Sequence, residues 1–482
     1  MVFSSPIFLF VFLPVVLTLY WLLPGVKARN YWLLLMSLVF YAWGEILFLF
    51  LLCASTLGNY ALGLWVDRSE NPRKRKAAIA VAIILNIGLL AFFKYANFVT
   101  DGLAPIFESF NLPPVHSNVP LPIGISFFTF HALSYVIDIY RRKSPAATNP
   151  ADTALYIFFF PQLIAGPILR WNAIAPQLLK RTATPALFAE GVRRFVWGLA
   201  KKMILANAVA VPADQIFALP PEELSASLAW FGIVCYTLQI YFDFSAYSDM
   251  AIGLGKMFGF AFIENFNYPY ISQSIKEFWR RWHMSLSSWF RDYLYIPLGG
   301  NRLSEPRTYF NLMMVFFLCG LWHGASWTFV VWGLYHGGFL VLERTSVGTW
   351  IGTLPRPLRH LYALMAVMGG WVFFRAETWG QAMAYFSALG GFGPDTLAQP
   401  LARYATNQVL WSIAVGVVLV TPFWPWLRHT LANWKDTLTG IRRTAADVAE
   451  LVLDPLLATA LLLISAAWLA GDTYNPFIYY RF

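Results

Sequence analysis

Apolar stretches of about 20 residues, the length a helix needs to cross the hydrocarbon of a bilayer, recur from one end of this 482-residue chain to the other. They lie near 3–23, 30–47, 48–66, 78–98, 121–140, 191–211, 227–255, 308–322, 326–342, 360–375, 408–427 and 450–470. In lipid every backbone N–H and C=O must be paired within the protein, so a spanning segment is a helix or part of a closed barrel. Continuous runs of this length point to helices. The pattern predicts an all-α, polytopic membrane protein with about 11 to 12 transmembrane helices, plus re-entrant and interfacial helices. Composition agrees, because only 12% of the residues are charged, against about 25% in a soluble domain. No internal repeat or low-complexity linker interrupts the pattern, so a single membrane domain over residues 1–482 is expected. The first 25 residues lack a basic leader and a small-residue cleavage site, and read as a retained span.

The net charge of +10 sits in short loops between apolar runs. That is the orientation signal of a membrane protein rather than a nucleic-acid footprint. Arg73, Lys74, Arg75 and Lys76, with Arg141, Arg142 and Lys143, mark cytoplasmic loops. Residues 99–120 and 212–225 contain no Lys or Arg and are expected on the opposite side, with the N-terminus outside. Cys53, Cys235 and Cys319 lie in apolar runs and show neither a disulfide framework nor metal-ligand spacing. P-loop, G-x-S-x-G, H-E-x-x-H and D-x-D patterns are absent.

Two segments are not simple spans. Residues 152–169, with Pro161, Gly166 and Pro167, read as a re-entrant segment, tolerated at membrane depth only inside protein or beside a water-filled cavity. Within residues 264–300, Trp279, Trp282, Leu286, Trp289 and Tyr293 recur at three and four residues. This predicts a helix lying in the membrane interface, ended by Pro297, Gly299 and Gly300.

Ionisable residues within spans are costly and mark candidate sites. His323 stands between two short apolar half-spans, at a break flanked by Gly320 and Gly324, where a catalytic base and a packed structural histidine are the competing readings. His283 lies at the edge of the aromatic stripe, as a second site residue or an interfacial anchor. Beside it, Arg280, Arg281, Lys276 and Arg291 suit the phosphates of a donor such as coenzyme A, or anionic lipid headgroups. Asp243 and Asp249 sit in an apolar span, with Tyr247 one turn from Asp243; ion pairing with a nearby Arg is the plainer reading. Cys319, four residues before His323, offers a minor route through an acyl-thioester, although buried Cys is usually inert. His336 reads as a packed structural histidine.

Longer strings carry a family resemblance. Met1-Val2-Phe3-Ser4-Ser5, Phe93-Lys94-Tyr95-Ala96-Asn97-Phe98, Pro122-Ile123-Gly124-Ile125-Ser126-Phe127 and Leu163-Ile164-Ala165-Gly166-Pro167 come first. Tyr241-Phe242-Asp243-Phe244-Ser245 through Gly255 is the densest part. Glu264-Asn265-Phe266-Asn267, Glu277-Phe278-Trp279-Arg280-Arg281-Trp282-His283 and Leu321-Trp322-His323-Gly324-Ala325 follow. With these strings the chain resembles the membrane-bound O-acyltransferase family, and within it the bacterial alginate O-acetylase branch, most densely over residues 121–345. The resemblance implies a multi-helix fold with a funnel on each side, His323 as the catalytic histidine and His283 as the second motif histidine. It further implies a donor reaching the site from the cytoplasm, with acetyl-coenzyme A expected, and an acceptor from the outer face. The expectation is a multi-pass inner-membrane acetyltransferase for an exopolysaccharide, alginate first, with cellulose, peptidoglycan or teichoic acid as other acceptors. The acyl group would pass to the polymer or to an extracytoplasmic acetyltransferase partner. Lipid surrounds the chain; a metal, a resident cofactor and nucleic acid are not expected. Broken helices also suit a transporter or flippase, but inverted repeats are missing; a membrane subunit without chemistry is the third class.

Overall fold

The computed structural model describes residues 1–113, 117–394, 399–471, 474 and 476. Residues 114–116 of the expected outer loop, and Asn475 and Phe477 near the C-terminus, lie outside the described residues. Among the described residues all regular structure is helical. A π-helical turn at Phe8–Phe12 leads into α1 (Leu13–Leu22), followed by α2 (Gly25–Arg68), α3 (Pro72–Ser109) and α4 (Ile125–Tyr140). Then come α5 (Pro150–Phe158), α6 (Phe160–Leu163), α7 (Trp171–Leu179), α8 (Pro185–Ala200), α9 (Asn207–Phe217) and α10 (Ala226–Met257). The polar middle holds α11 (Ile275–Arg281) and α12 (Met284–Phe290), and α13 (Glu305–His323) and α14 (Trp327–Leu342) flank the His323 break. The remainder is α15 (Ser346–Thr353), α16 (Arg356–Arg375), α17 (Trp379–Leu389), α18 (Asn407–Leu419), α19 (Phe423–Asp436) and α20 (Gly440–Gly471).

Each expected span coincides with helical structure: 3–23 with the first π-helical turn and α1, 191–211 with α8, a π-helical stretch at Lys201–Ala206 and α9, and two others differ in continuity. The spans expected at 30–47 and 48–66 are one continuous helix, α2, kinked at Glu45 (φ −144°, ψ 55°). The span expected at 408–427 is the pair α18 and α19, bent by 61°. By length and composition α2, α3, α20 and the run Pro185–Phe217 would each cross a bilayer alone, and α18 with α19 would make a fifth crossing. α2, α3 and α20 expose Leu47, Phe50, Ile84 and Leu451 along their sides, as lipid-facing helices do. α10 is as long as α20 but carries polar residues such as Asp243 and Asp249, which face protein: it is buried along most of its course.

The chain folds as two compact units assembled from interleaved segments. The first comprises Met1–Val192, Ala251–Ile263 and Trp322–Ala325. Phe8, Phe40 and Phe160 are fully buried there, with the Phe160 ring 5.4 Å from both Phe12 and Phe40. The re-entrant segment expected at 152–169 is α5, a break at Phe159, the single turn of α6 and an irregular exit through Pro167. Protein surrounds it, which satisfies the condition for broken backbone at membrane depth: Phe158, Phe160 and Gln162 are all buried. The N–H freed at the break, that of Phe160, donates to Ser37 Oγ (3.2 Å). Gly124 caps α4 with φ +77°, and a side chain there would run into the Leu163 carbonyl, so glycine fits both demands. Arg75 is more than an orientation charge. It is buried and donates to the carbonyls of Val66 (3.1 Å) and Tyr140 (2.7 Å), closing the C-terminal ends of α2 and α4.

The second unit comprises Arg193–Met250, Glu264–Leu321 and Ser326–Phe482. Its polar interior is a set of ion pairs. Lys202 Nζ lies 2.7 Å from Asp243, with the two side chains 3% and 2% exposed. Asp249 pairs with Arg194 (2.6 Å) and with Lys201, and Arg194 also bridges to Glu264. The plainer reading of the two aspartates therefore holds, with lysine as well as arginine supplying the cations. Lys202 also donates to the Pro476 carbonyl, Asn207 to that of Tyr474 (3.5 Å), and the Tyr474 hydroxyl to Asp214, which pairs with Arg375 (2.7 Å). Where α13 crosses α14, Gly320 faces the Phe329 carbonyl and Gly333 the Phe316 carbonyl with no room for a Cβ. Gly320 is thus a helix-contact residue rather than part of a break, and the break itself runs from Gly324 to Ser326.

Candidate active site

α13 runs without interruption through its apolar residues and stops at His323, because Gly324 gives up helical geometry and Ser326 starts α14 by accepting from the Thr328 N–H (3.3 Å). His323 is therefore the last helical residue, and it is 5% exposed. Its ring meets Trp322 edge to face at 4.7 Å. Trp322 in turn stacks on Phe130 (5.3 Å, 20°) and abuts Phe127, both on α4. Beneath these rings Lys94, on α3, donates to the Trp322 carbonyl and to Ser126 Oγ (3.5 Å). Lys94 is buried, and among the described residues no carboxylate pairs with it. Lys94 is not among the site residues expected from sequence, although a lysine in the middle of a long apolar helix is itself a signal.

His283 belongs to the second unit, as do Arg280 and Arg281; His323 belongs to the first. The single interfacial helix expected around it is instead two short helices, α11 and α12, separated by extended Trp282 and by His283 in the left-handed region (φ 44°, ψ 53°). The aromatic stripe is real but faces protein: Trp282 and Leu286 are buried, and Trp282 packs 4.9 Å from Trp371. Both pieces insert their aromatics into one core, which preserved the three–four spacing across the break. Expected as an interfacial anchor or a site residue, His283 is 1% exposed.

Asn265 holds the His283 ring. Its Oδ1 accepts from the Ser285 N–H (3.2 Å) and the Ser285 hydroxyl (2.8 Å), and lies 3.0 Å from His283 Nδ1. A backbone N–H can only donate, so this atom is the amide oxygen and not the nitrogen. His283 Nδ1 must then carry the proton, and in the neutral ring Nε2 is the acceptor nitrogen. The Asn265 amide donates onward to Ser248 Oγ (2.9 Å), and Phe244 closes one ring face at 4.6 Å. The sequence could not show this, since Asn265 precedes His283 by 18 residues.

The basic residues separate. Arg281 is committed to Glu277 (2.9 Å), one helical turn earlier, and to the Asn267 carbonyl (3.1 Å). Arg291 is held by Asp292 (2.7 Å), whose hydrogen bond pushes the guanidinium pKa further up. Arg280 and Lys276 have exposed side chains, and Arg280 makes no ion pair among the described residues. Cys319 is buried, as is His336, which packs between Trp279 (5.1 Å), Trp332 (5.2 Å) and Tyr335 (5.3 Å). Among the described residues no group of three or more His, Cys, Asp or Glu is placed to hold a metal ion.

Comparison with known proteins matches the family profile of the membrane-bound O-acyltransferases over residues 141–351, a range that contains His283 and His323. Over the full length of both chains, this one is 43% identical to a probable alginate O-acetylase of Azotobacter vinelandii and 43% identical to one of Pseudomonas putida. It is also 36% identical to a peptidoglycan O-acetyltransferase of Helicobacter pylori, over 82% of this chain and 81% of that one. The full-length identities, the matched profile and the multi-pass helical fold together make this chain a member of the membrane-bound O-acyltransferase family, and hence an acyltransferase.

Proposed function

We propose that this protein is an inner-membrane O-acetyltransferase that moves an acetyl group from a cytoplasmic donor, acetyl-coenzyme A, onto hydroxyls of an exopolysaccharide, alginate before other envelope polymers. The observation that carries this reading is the 43% identity over the whole of both chains to probable alginate O-acetylases, against 36% over 82% of the chain for the peptidoglycan enzyme. Residues 1–482 act as one membrane domain, and the acetyl group passes to the polymer or to an extracytoplasmic acetyltransferase partner.

In the mechanism, the neutral ring of His323 takes the proton of the acceptor hydroxyl. The oxygen then attacks the thioester carbonyl, and the tetrahedral species collapses with loss of the thiolate, which takes the proton back from His323. A hydroxyl is a poor nucleophile until deprotonated, and an imidazole of ordinary pKa near 6.5 is a competent base at neutral pH. His283 is a second proton-handling residue. Its Nδ1–H is committed to Asn265, so Nε2 accepts in the neutral ring and donates to an oxyanion only in the imidazolium form. A backbone N–H of the non-helical break at Gly324, beyond the last residue of α13, is the donor we assign to the oxyanion.

Deleting the gene tests the acceptor. Exopolysaccharide from the deletion strain should be made in normal amount but lack O-acetyl esters by mass spectrometry. Full polymer acetylation with loss of peptidoglycan acetyl groups would overturn alginate as the acceptor.

The arginines test the donor. Arg280→Gln should raise the apparent donor KM about tenfold by removing a charge-assisted bond to phosphate, with kcat little changed. Arg281→Gln should act on stability instead, because that side chain is occupied by Glu277. Steady-state kinetics with acetyl-coenzyme A separates them, and an unchanged donor KM in Arg280→Gln would reduce Arg280 to a lipid anchor.

A further inference from the structure

Lys94 lies in α3, among residues apolar enough to face lipid, yet it is itself only 8% exposed. A buried ammonium without a counter-ion is costly at membrane depth and is kept there by function. The same chain neutralises its other buried lysine, Lys202, with Asp243. Around Lys94, among the described residues, that solution is not used. The ammonium donates to the Trp322 carbonyl and to Ser126, and lies 5.8 Å from the centroid of the Trp322 ring.

The position of that carbonyl gives the charge its use. Trp322 is the penultimate residue of α13, and the last four carbonyls of a helix have no intrahelical partner and carry the negative end of its dipole. After His323 the chain leaves helical geometry at Gly324. His323 therefore stands where a helix ordinarily frays, and Lys94 occupies the place that restrains it. A hydrogen bond from a cation is roughly twice as strong as one from a neutral donor.

We propose that Lys94 is a positioning residue for acetyl transfer: through the Trp322 carbonyl its charge fastens the C-terminal end of α13 and holds His323 in its reacting orientation. This rests on the reading of His323 as the base. Displacement of a catalytic group by about 1 Å costs on the order of 10²-fold in rate, and loss of the fastening charge should cost that much.

The test uses the full chain in cells, with polymer acetyl content divided by the amount of membrane-inserted protein. Lys94→Met should lose about 10²-fold, and Lys94→Arg, which keeps the charge, should recover at least tenfold of that loss, with Lys94→Gln between them. The proposal is overturned if Lys94→Met stays within about threefold of wild type, or if Arg is no better than Met at equal abundance. Should the Met variant fail to accumulate, Arg against Gln decides by the same ordering. If no Lys94 variant accumulates, the residue is structural and the proposal is wrong. His323→Ala runs alongside: full activity there removes His323 as the base and this inference with it, whereas an inactive His323→Ala beside an active Lys94→Met sinks only this inference.

Discussion

His323→Ala is expected to lower acetyl transfer by about 10²–10⁴-fold, the usual cost of removing a positioned base, while the protein still accumulates in the membrane. Its retention follows from what the substitution leaves alone. The stacking of Trp322 on Phe130 and the hold of Lys94 on the Trp322 carbonyl involve neighbouring atoms, and both persist when the imidazole is gone. Cys319→Ala is the paired control. Its thiol is buried in α13, and direct transfer predicts that its loss costs no more than about threefold. Acetyl content of the polymer, normalised to the amount of inserted protein, reads both. An inactive Cys319→Ala, with an acyl adduct trapped on Cys319 in the wild type, would replace direct transfer by a two-step route. A His323→Ala variant with near-normal acetylation would remove His323 from the chemistry.

Asp243→Ala is expected to do its damage before chemistry begins. It strands the Lys202 ammonium, whose side chain is 3% exposed, in the interior of the second unit. Breaking a buried pair in this way costs roughly 3–5 kcal/mol, because the remaining charge is neither solvated nor matched. The double variant Asp243→Ala with Lys202→Met removes both charges and should recover most of the lost stability. Thermal unfolding in detergent reads the cycle, and equal losses in single and double variants would mean that packing, not charge, dominates. By contrast Glu264→Gln, on the half-exposed partner of Arg194, should cost less than about 1 kcal/mol.

The long-period features were open to sequence reasoning, and the short-range geometry only partly. Apolar runs located the helices because a bilayer allows few alternatives, and the glycine- and proline-marked segment at 152–169 turned out broken and enclosed. The buried aspartates followed from the rule that interior charges are paired. The stripe from Trp279 to Tyr293 misled, since a residue in the left-handed region at His283 splits the helix without disturbing the spacing of its aromatics. Glu277, four residues before Arg281, already marked that arginine as occupied, and weighing the pair would have left Arg280 as the donor candidate. Lys94 and Asn265 stand in the sequence without a local partner pattern. Lys94 acts through a backbone carbonyl 228 residues away, a partner that no local pattern encodes.

The contacts around Lys202 impose an order on how the protein is made. Asp243 emerges about 40 residues after Lys202, within seconds at ~5–20 residues per second, but the Pro476 carbonyl that Lys202 also reaches comes 274 residues later, after tens of seconds. During that interval the nascent chain must hold a lysine at membrane depth. The early aspartate makes this tolerable by supplying the neutralising charge first, and the late carbonyl adds its hydrogen bond afterwards. Insertion is therefore staged, with electrostatic neutrality reached locally and early, and the final hydrogen bond left to the segment synthesised last among the partners.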